Sequence, residues 1–213
     1  MPFPTTGILD TFVRANEGPP PSASWAGIIL PSDGGLKIVS NACVGDSALF
    51  FNSSAWGQTF GPDCEVFVTM TALAAVGGFC TIFTRLTELN TAFVDGYAAQ
   101  VEVTASGVAS WSIFRIDDAV GTALAFTDAP INAGDTFGMA SIGSSHYVCR
   151  KPSGGEWESA LSVSDSTYPN TGYIGARISI NTFLWELNDF GGGTVVVTES
   201  PISPDYSHFP PFG

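Results

Sequence analysis

Lysine and arginine are scarce in this chain, 7 together against 20 aspartates and glutamates, so its 213 residues carry a formal net charge of −13. Such a field repels phosphate backbones and anionic lipid, and neither nucleic acid nor membrane insertion is expected. Long apolar runs are missing as well, and no uninterrupted stretch reaches the length a spanning helix needs. The opening Met1-Pro2-Phe3-Pro4-Thr5-Thr6 has neither the basic nor the apolar region of a secretory signal. The expectation is a chain that stays where it is made or leaves by a signal-independent route.

Cysteine and histidine are equally sparse. Cys43, Cys64, Cys80 and Cys149 lack the close paired spacing of zinc sites and are too few for a disulfide framework. They read as small buried residues, with one disulfide left open. His146 and His208 have no Cys, His or acidic neighbour at metal-ligand spacing, which argues against zinc. Helical periodicity is absent too, since the best attempt, Thr69 to Val76, is short and runs into Gly77-Gly78.

What is present is turn and strand chemistry: 24 Gly and 14 Pro punctuate short β-branched and aromatic runs. Strands are expected in Ile8–Val13, Leu36–Val39, Ala48–Phe51, Glu65–Met70, Phe79–Arg85, Gly96–Val103, Ala109–Ile116, Thr136–Ile142, His146–Arg150, Gly172–Ile178 and Thr182–Leu187. In Trp111 to Ile116 both faces carry apolar residues, as in a strand covered on two sides. That pattern predicts an all-β, antiparallel sandwich of two stacked sheets. Residues 1–7 read as an N-terminal arm, 8–193 as one domain, and 194–213 as a C-terminal strand, Thr194–Thr198, with an extended Pro and aromatic tail. Tyr206, Phe209 and Phe212 of that tail are expected to dock on a neighbour or on the body.

Several spaced motifs carry a resemblance. They are Leu9-Asp10-Thr11-Phe12-Val13-Arg14-Ala15-Asn16 with Trp25, Phe60-Gly61-Pro62-Asp63-Cys64-Glu65-Val66, Asp95-Gly96-Tyr97, Gly172-Tyr173-Ile174-Gly175-Ala176-Arg177, and Asn188-Asp189-Phe190-Gly191-Gly192-Gly193. Together they resemble the concanavalin A-like (laminin-G-like) lectin and glucanase jelly rolls found in bacteriophage structural proteins and secreted bacterial proteins. The resemblance implies a jelly-roll topology with the first and last strands side by side. It would bring Asp10 near Asp189 and offer two carboxylates to a hard cation such as calcium. The alternative is the commoner use of Asp, hydrogen bonds to backbone N–H groups at turns and strand ends.

Catalytic patterns are hard to find. The hydrolases that share this jelly roll carry an alternating Glu-x-Asp-x-x-Glu run, and none occurs here. Glu156-Trp157-Glu158 reads as a solvated hairpin end, Asp117-Asp118 lies beside a turn, and Gly143-Ser144-Ser145-His146 reads as a hairpin turn. No Gly-rich phosphate loop precedes a helix. Aromatic rings remain: Trp25, Trp111 and Trp185 fit a core, whereas Trp56, Trp157, Tyr168 and Tyr173 are the candidates for stacking on sugars. The expected function is a non-enzymatic structural or binding subunit of a bacteriophage virion, a head decoration or a tail-associated attachment protein. Its expected partners are other virion subunits, copies of itself in a homo-oligomer such as a trimer, and host glycans. A carbohydrate-binding module of a secreted protein is the alternative, and a polysaccharide hydrolase or lyase the less favoured one.

Overall fold

The period-2 patterns become strands in a computed structural model that describes residues 3–46, 49–179 and 185–196. Among the described residues there is no helix. The first sheet contains β1 (Ile8–Asp10), β4 (Ala42–Gly45), β15 (Glu186–Thr194), β6 (Cys64–Ala72), β11 (Thr136–Ile142), β12 (Ser145–Lys151) and β13 (Glu158–Ser164). The second contains β2 (Trp25–Gly27), β5 (Phe51–Phe60), β14 (Gly172–Ser179), β7 (Phe79–Leu86), β8 (Gly96–Ala105), β9 (Val108–Asp117) and β10 (Val120–Pro130). β3 (Gly34–Val39) serves both: Gly34-Gly35 runs parallel to β5, and the rest pairs antiparallel with β4.

Register explains the core. Across β5, β14, β7, β8 and β9 the residues Ser54, Ala176, Ile82, Ala99 and Ile113 stand opposite one another, followed by Asn52, Ile178, Cys80, Val101 and Trp111. These rungs face Val66, Val68, Phe137, Met139 and Val148 of the first sheet in one continuous cluster. Trp111 meets Phe137 edge-on at 5.3 Å between ring centres and so ties the two sheets together. Burial of each such large side chain contributes about 1.5–3 kcal/mol. All four cysteines are free and buried within these strands.

The elements that the sequence pattern missed lie mostly at the edges. β10 and β13 terminate the two sheets and hydrogen-bond on one side only, so their sequences are poor in large β-branched residues and not cleanly alternating. β10 even ends on Pro130, which an edge strand tolerates. β5 begins at Phe51, where a strand was expected to end, because its Asn52, Ser53 and Ser54 are polar yet buried. The expected strand at Thr194–Thr198 is displaced: β15 runs through Gly191-Gly192-Gly193 and stops at Thr194, after which the Val195 N–H donates to the Asp63 carbonyl and Val196 is exposed. Residues 182–184, 197 and 198, and the tail residues Tyr206, Phe209 and Phe212, lie outside the described residues.

Candidate functional site

The outer face of the second sheet is built from the side chains that alternate with the core rungs. One outer rung reads Ser53, Arg177, Thr81, Gln100, Ser112 and Phe126 across β5, β14, β7, β8, β9 and β10. The rung beside it reads Ala55, Gly175, Phe83, Ala98, Phe114 and Ala123. A polar row therefore lies against an apolar one. Ile29, Leu86 and Val94 close one end of the apolar row in a small second cluster with Ala55, Phe83 and Ala98. Arg177, Thr81, Gln100, Phe83, Ala98 and Phe114 are among the residues that line a cleft of about 130 Å³ on this face.

Arg177 gives the face its electrostatics. Its Nη2 donates to Asp33 Oδ1 at 3.1 Å, and its guanidinium lies over the Phe51 ring at 3.8 Å. Asp33 is withdrawn from solvent, and its Oδ2 and the Arg177 Nε have no hydrogen-bond partner among the described residues. Burial pushes the Asp33 carboxyl above its ordinary range and the Arg177 guanidinium below its own, although each charge opposes the other's shift. The pair is neutral in sum, and nearby Thr81 donates its hydroxyl to Gln100 Oε1 at 3.3 Å.

No protein-family model matches the chain, and neither does any curated protein. Solved structures match over most of it. The VIP36 exoplasmic/lumenal domain in its Ca2+/Man2-bound form superposes with a TM-score of 0.63 at 12% identity, covering 92% of this chain and 90% of that one. The carbohydrate-binding module CBM66 from Bacillus subtilis gives 0.59 at 13% identity, with 80% and 96% covered. The β-glucanase of Bacillus licheniformis gives 0.57 at 13% identity, with 90% and 100% covered. The fold is the concanavalin A-like jelly roll.

On this jelly roll the four aromatic residues expected to stack on sugars are scattered. Trp56 is half-buried on β5, edge-on to Trp25 at 5.5 Å and stacked on Phe190 at 6.3 Å, so its faces already have partners. Trp157 precedes β13 on the first sheet, where Phe3 meets it at 4.7 Å. Tyr168 donates its hydroxyl to Asp117 Oδ1 at 2.7 Å, and Tyr173 packs against the small second cluster. The cleft residues Arg177, Gln100 and Phe114 were not singled out in the sequence as site residues. Arg177 did leave a signal, as one of only 7 basic residues, set inside the apolar run Tyr173 to Ile178.

The first and last strands of the jelly roll do lie side by side, with Ile8 opposite Gly191 and Asp10 opposite Phe190. The Asp10 carboxylate is occupied by protein donors: it takes both Arg14 Nη groups, the Trp25 indole N–H at 2.9 Å and the Phe12 N–H at 2.9 Å. Burial opposes its ionisation, but these donors outweigh it and hold the carboxyl below its ordinary range. Asp189 sits in β15 with φ at 48°. Among the described residues no three His, Cys, Asp or Glu side chains cluster as a metal site would require.

Gly143 and Ser144 form the turn between β11 and β12, and His146 points into the interior. Its Nδ1 lies 2.9 Å from the Ser141 Oγ and its Nε2 lies 3.1 Å from the Asp165 carbonyl oxygen, while the Tyr97 ring covers it at 3.8 Å. The Tyr97 hydroxyl donates to Asp165 Oδ1 at 2.6 Å. Burial opposes Asp165 ionisation, but Tyr97, Thr167 and Arg115 together hold its carboxyl well below the usual range. Burial likewise holds the His146 imidazole below its ordinary 6.5. As pH falls through 6.5 the unfolded chain gains a proton that the folded chain refuses, so stability declines. Urea denaturation at a series of pH values is expected to show this decline between about pH 5 and 7, and His146→Gln is expected to flatten it.

Proposed function

We propose that the chain is a non-enzymatic carbohydrate-binding module whose ligand lies across the outer face of the second sheet. The carrying observation is the pairing of rungs at the cleft, where half-buried Phe114 of the apolar row stands beside half-buried Arg177 and Gln100 of the polar row, over buried Phe83 and Thr81. A pyranose has the same division, with apolar ring faces and hydroxyl edges, and it is held by aromatic faces together with a few placed polar groups. A cleft of about 130 Å³ is smaller than the roughly 300–1,000 Å³ of a pocket that engulfs a small molecule, which suits a glycan resting on the face. Its lining contains no carboxylate, histidine or cysteine to act as acid, base or nucleophile. The net charge of −13 favours neutral over acidic glycans. The solved structures named above include a carbohydrate-binding module and a domain in a Ca2+/Man2-bound form, which supports the same reading.

A glycan array followed by calorimetry with the neutral sugars it selects tests the proposal. Phe114→Ala is expected to weaken binding about five- to tenfold, as loss of roughly 1–1.5 kcal/mol of aromatic contact requires. Gln100→Ala should act in the same direction, whereas Trp157→Ala, on the opposite sheet, should leave affinity unchanged. Absence of binding to any neutral glycan at millimolar concentration would overturn the reading. The bacteriophage-particle role expected above is a proposal carried by the resemblance, the acidic composition, the lack of catalytic motifs and the Pro and aromatic tail.

A further inference from the structure

The outer face of the first sheet has a different design. Gly193, Glu65, Ala140 and Tyr147 form one outer rung, Gly191, Phe67, Gly138 and Cys149 the next, and Asn188, Thr69, Thr136 and Lys151 a third. Residues 3–7 lie across the first two. Phe3 sits over Gly138, where a Cβ would collide with its ring, and the Thr5 and Thr6 N–H groups donate to Glu65 Oε1 at 2.6 Å. The arm thereby becomes one wall of a cleft of about 440 Å³, a size within the roughly 300–1,000 Å³ of small-ligand sites. The third rung is its floor, where the Thr69 and Thr136 hydroxyls lie 3.1 Å apart, and Phe67 and half-buried Trp157 supply an apolar side.

Two opposite charges line this cleft. Arg14, Lys37, Arg85, Arg115, Arg150 and Arg177 each form an ion pair with an aspartate. Half-buried Lys151, at the end of β12, is the one basic residue with no ion pair among the described residues, in a chain with 20 acidic side chains. At the other end stands Asp189, also half-buried, whose carboxylate has no hydrogen-bond or ion-pair partner among the described residues.

Asp189 is put there by its backbone. The register of β15 against β6 slips between Asn188 and Gly191, so that Asp189 and Phe190 together stand opposite Val68. Phe190 turns into the core against Trp25 at 4.6 Å, while Asp189 takes φ of 48° and lines the cleft. A bulge re-aims a side chain in this way, at a backbone conformation that Gly adopts more readily than Asp.

The strands that carry the two charges are three spacings apart, about 14 Å, and side chains that stand upright from a sheet largely keep that separation. The two charges of a free amino acid sit on one carbon and reach one end only. Two to four extended residues span about 7–14 Å, and with a hydrogen bond at each terminus they bridge both ends. A purely anionic ligand would meet Asp189 and the net charge of −13, and a purely cationic one would meet Lys151. A ligand with one charge of each sign satisfies both ends and presents no net charge for the field to repel.

We propose that this cleft is a second binding site, separate from the glycan face, for a short peptide with both termini free. Its carboxylate lies at Lys151, its ammonium at Asp189 and an apolar side chain against Trp157.

Calorimetry of the full chain with the tripeptide alanyl-leucyl-alanine tests this. The expected dissociation constant is about 1 mM or below. Acetylating the N-terminus or amidating the C-terminus should each weaken binding about tenfold, because each removes one charge-assisted hydrogen bond. Lys151→Met and Asp189→Gly should weaken it as much, and Lys151→Arg should retain most of it. Asp189→Gly should keep the parent's melting temperature to within about 2 °C, since Gly accepts the left-handed backbone, which separates a ligand contact from a structural role. Lys151→Met alone still decides the matter should Asp189→Gly fail to fold. Absence of tripeptide binding at millimolar concentration overturns the proposal, as do capped peptides that bind as tightly as the free one.

Discussion

Arg177→Met is expected to cost about 3–5 kcal/mol of stability, because it leaves the Asp33 carboxyl buried without its partner. Removing one member of a buried ion pair strands the other charge in a poorly solvating environment, whereas removing both relieves the burden. The double variant Asp33→Asn, Arg177→Met should therefore recover most of the loss. Urea denaturation of the two variants and the parent makes the comparison. The pH dependence adds a sign. Burial raises the Asp33 carboxyl above its ordinary 3.8, so the folded single variant binds a proton more readily than its unfolded chain. Its deficit should shrink as pH falls and widen as pH rises through the folded value. A single variant within about 1 kcal/mol of the parent at pH 7 would show that the pair carries little of the fold.

Gly192→Ala is the second large effect. Gly192 has φ at 148°, and a Cβ there would strike the Glu65 carbonyl oxygen of β6 and the Ile174 side chain of the opposing sheet. Backbone strain of about 1–3 kcal/mol combines with overpacking of about 1–3 kcal/mol, because the obstacle is a neighbouring strand rather than a flexible side chain. The melting temperature should fall by about 5 °C or more. Gly7→Ala, where nothing lies within 4 Å of the added carbon, is the control and should shift it little. Equal melting temperatures for the two variants would contradict the close approach of β15 to β6.

The strands were legible where burial on one or both faces imposes a pattern. In β9 the alternation of Trp111 and Ile113 with Ser112 and Phe114 sorts the side chains onto two faces, and the structure puts the first pair in the core and Phe114 on the outer cleft. Edge strands such as β10 and β13 escape this reading because half of each is solvated and their sequences are free to vary. The groove was harder to read for another reason: its members meet only through register. Arg177, Thr81 and Gln100 are adjacent in space because three separate strands align, and Asp33 reaches Arg177 across 144 positions of sequence. Local composition pointed instead to Trp56 and Trp157. The first is packed against Trp25 and Phe190, and the second against Phe3, a residue of an arm whose docking no periodicity encodes.

β1 hydrogen-bonds to β15, so the polypeptide enters and leaves the sandwich at neighbouring points of the same sheet. Sequence joined on either side of the domain therefore departs from the first sheet, while the groove occupies the outer face of the second. A fusion partner attached through either flank would leave the outer face of the second sheet, where the ligand is proposed to lie, turned outward.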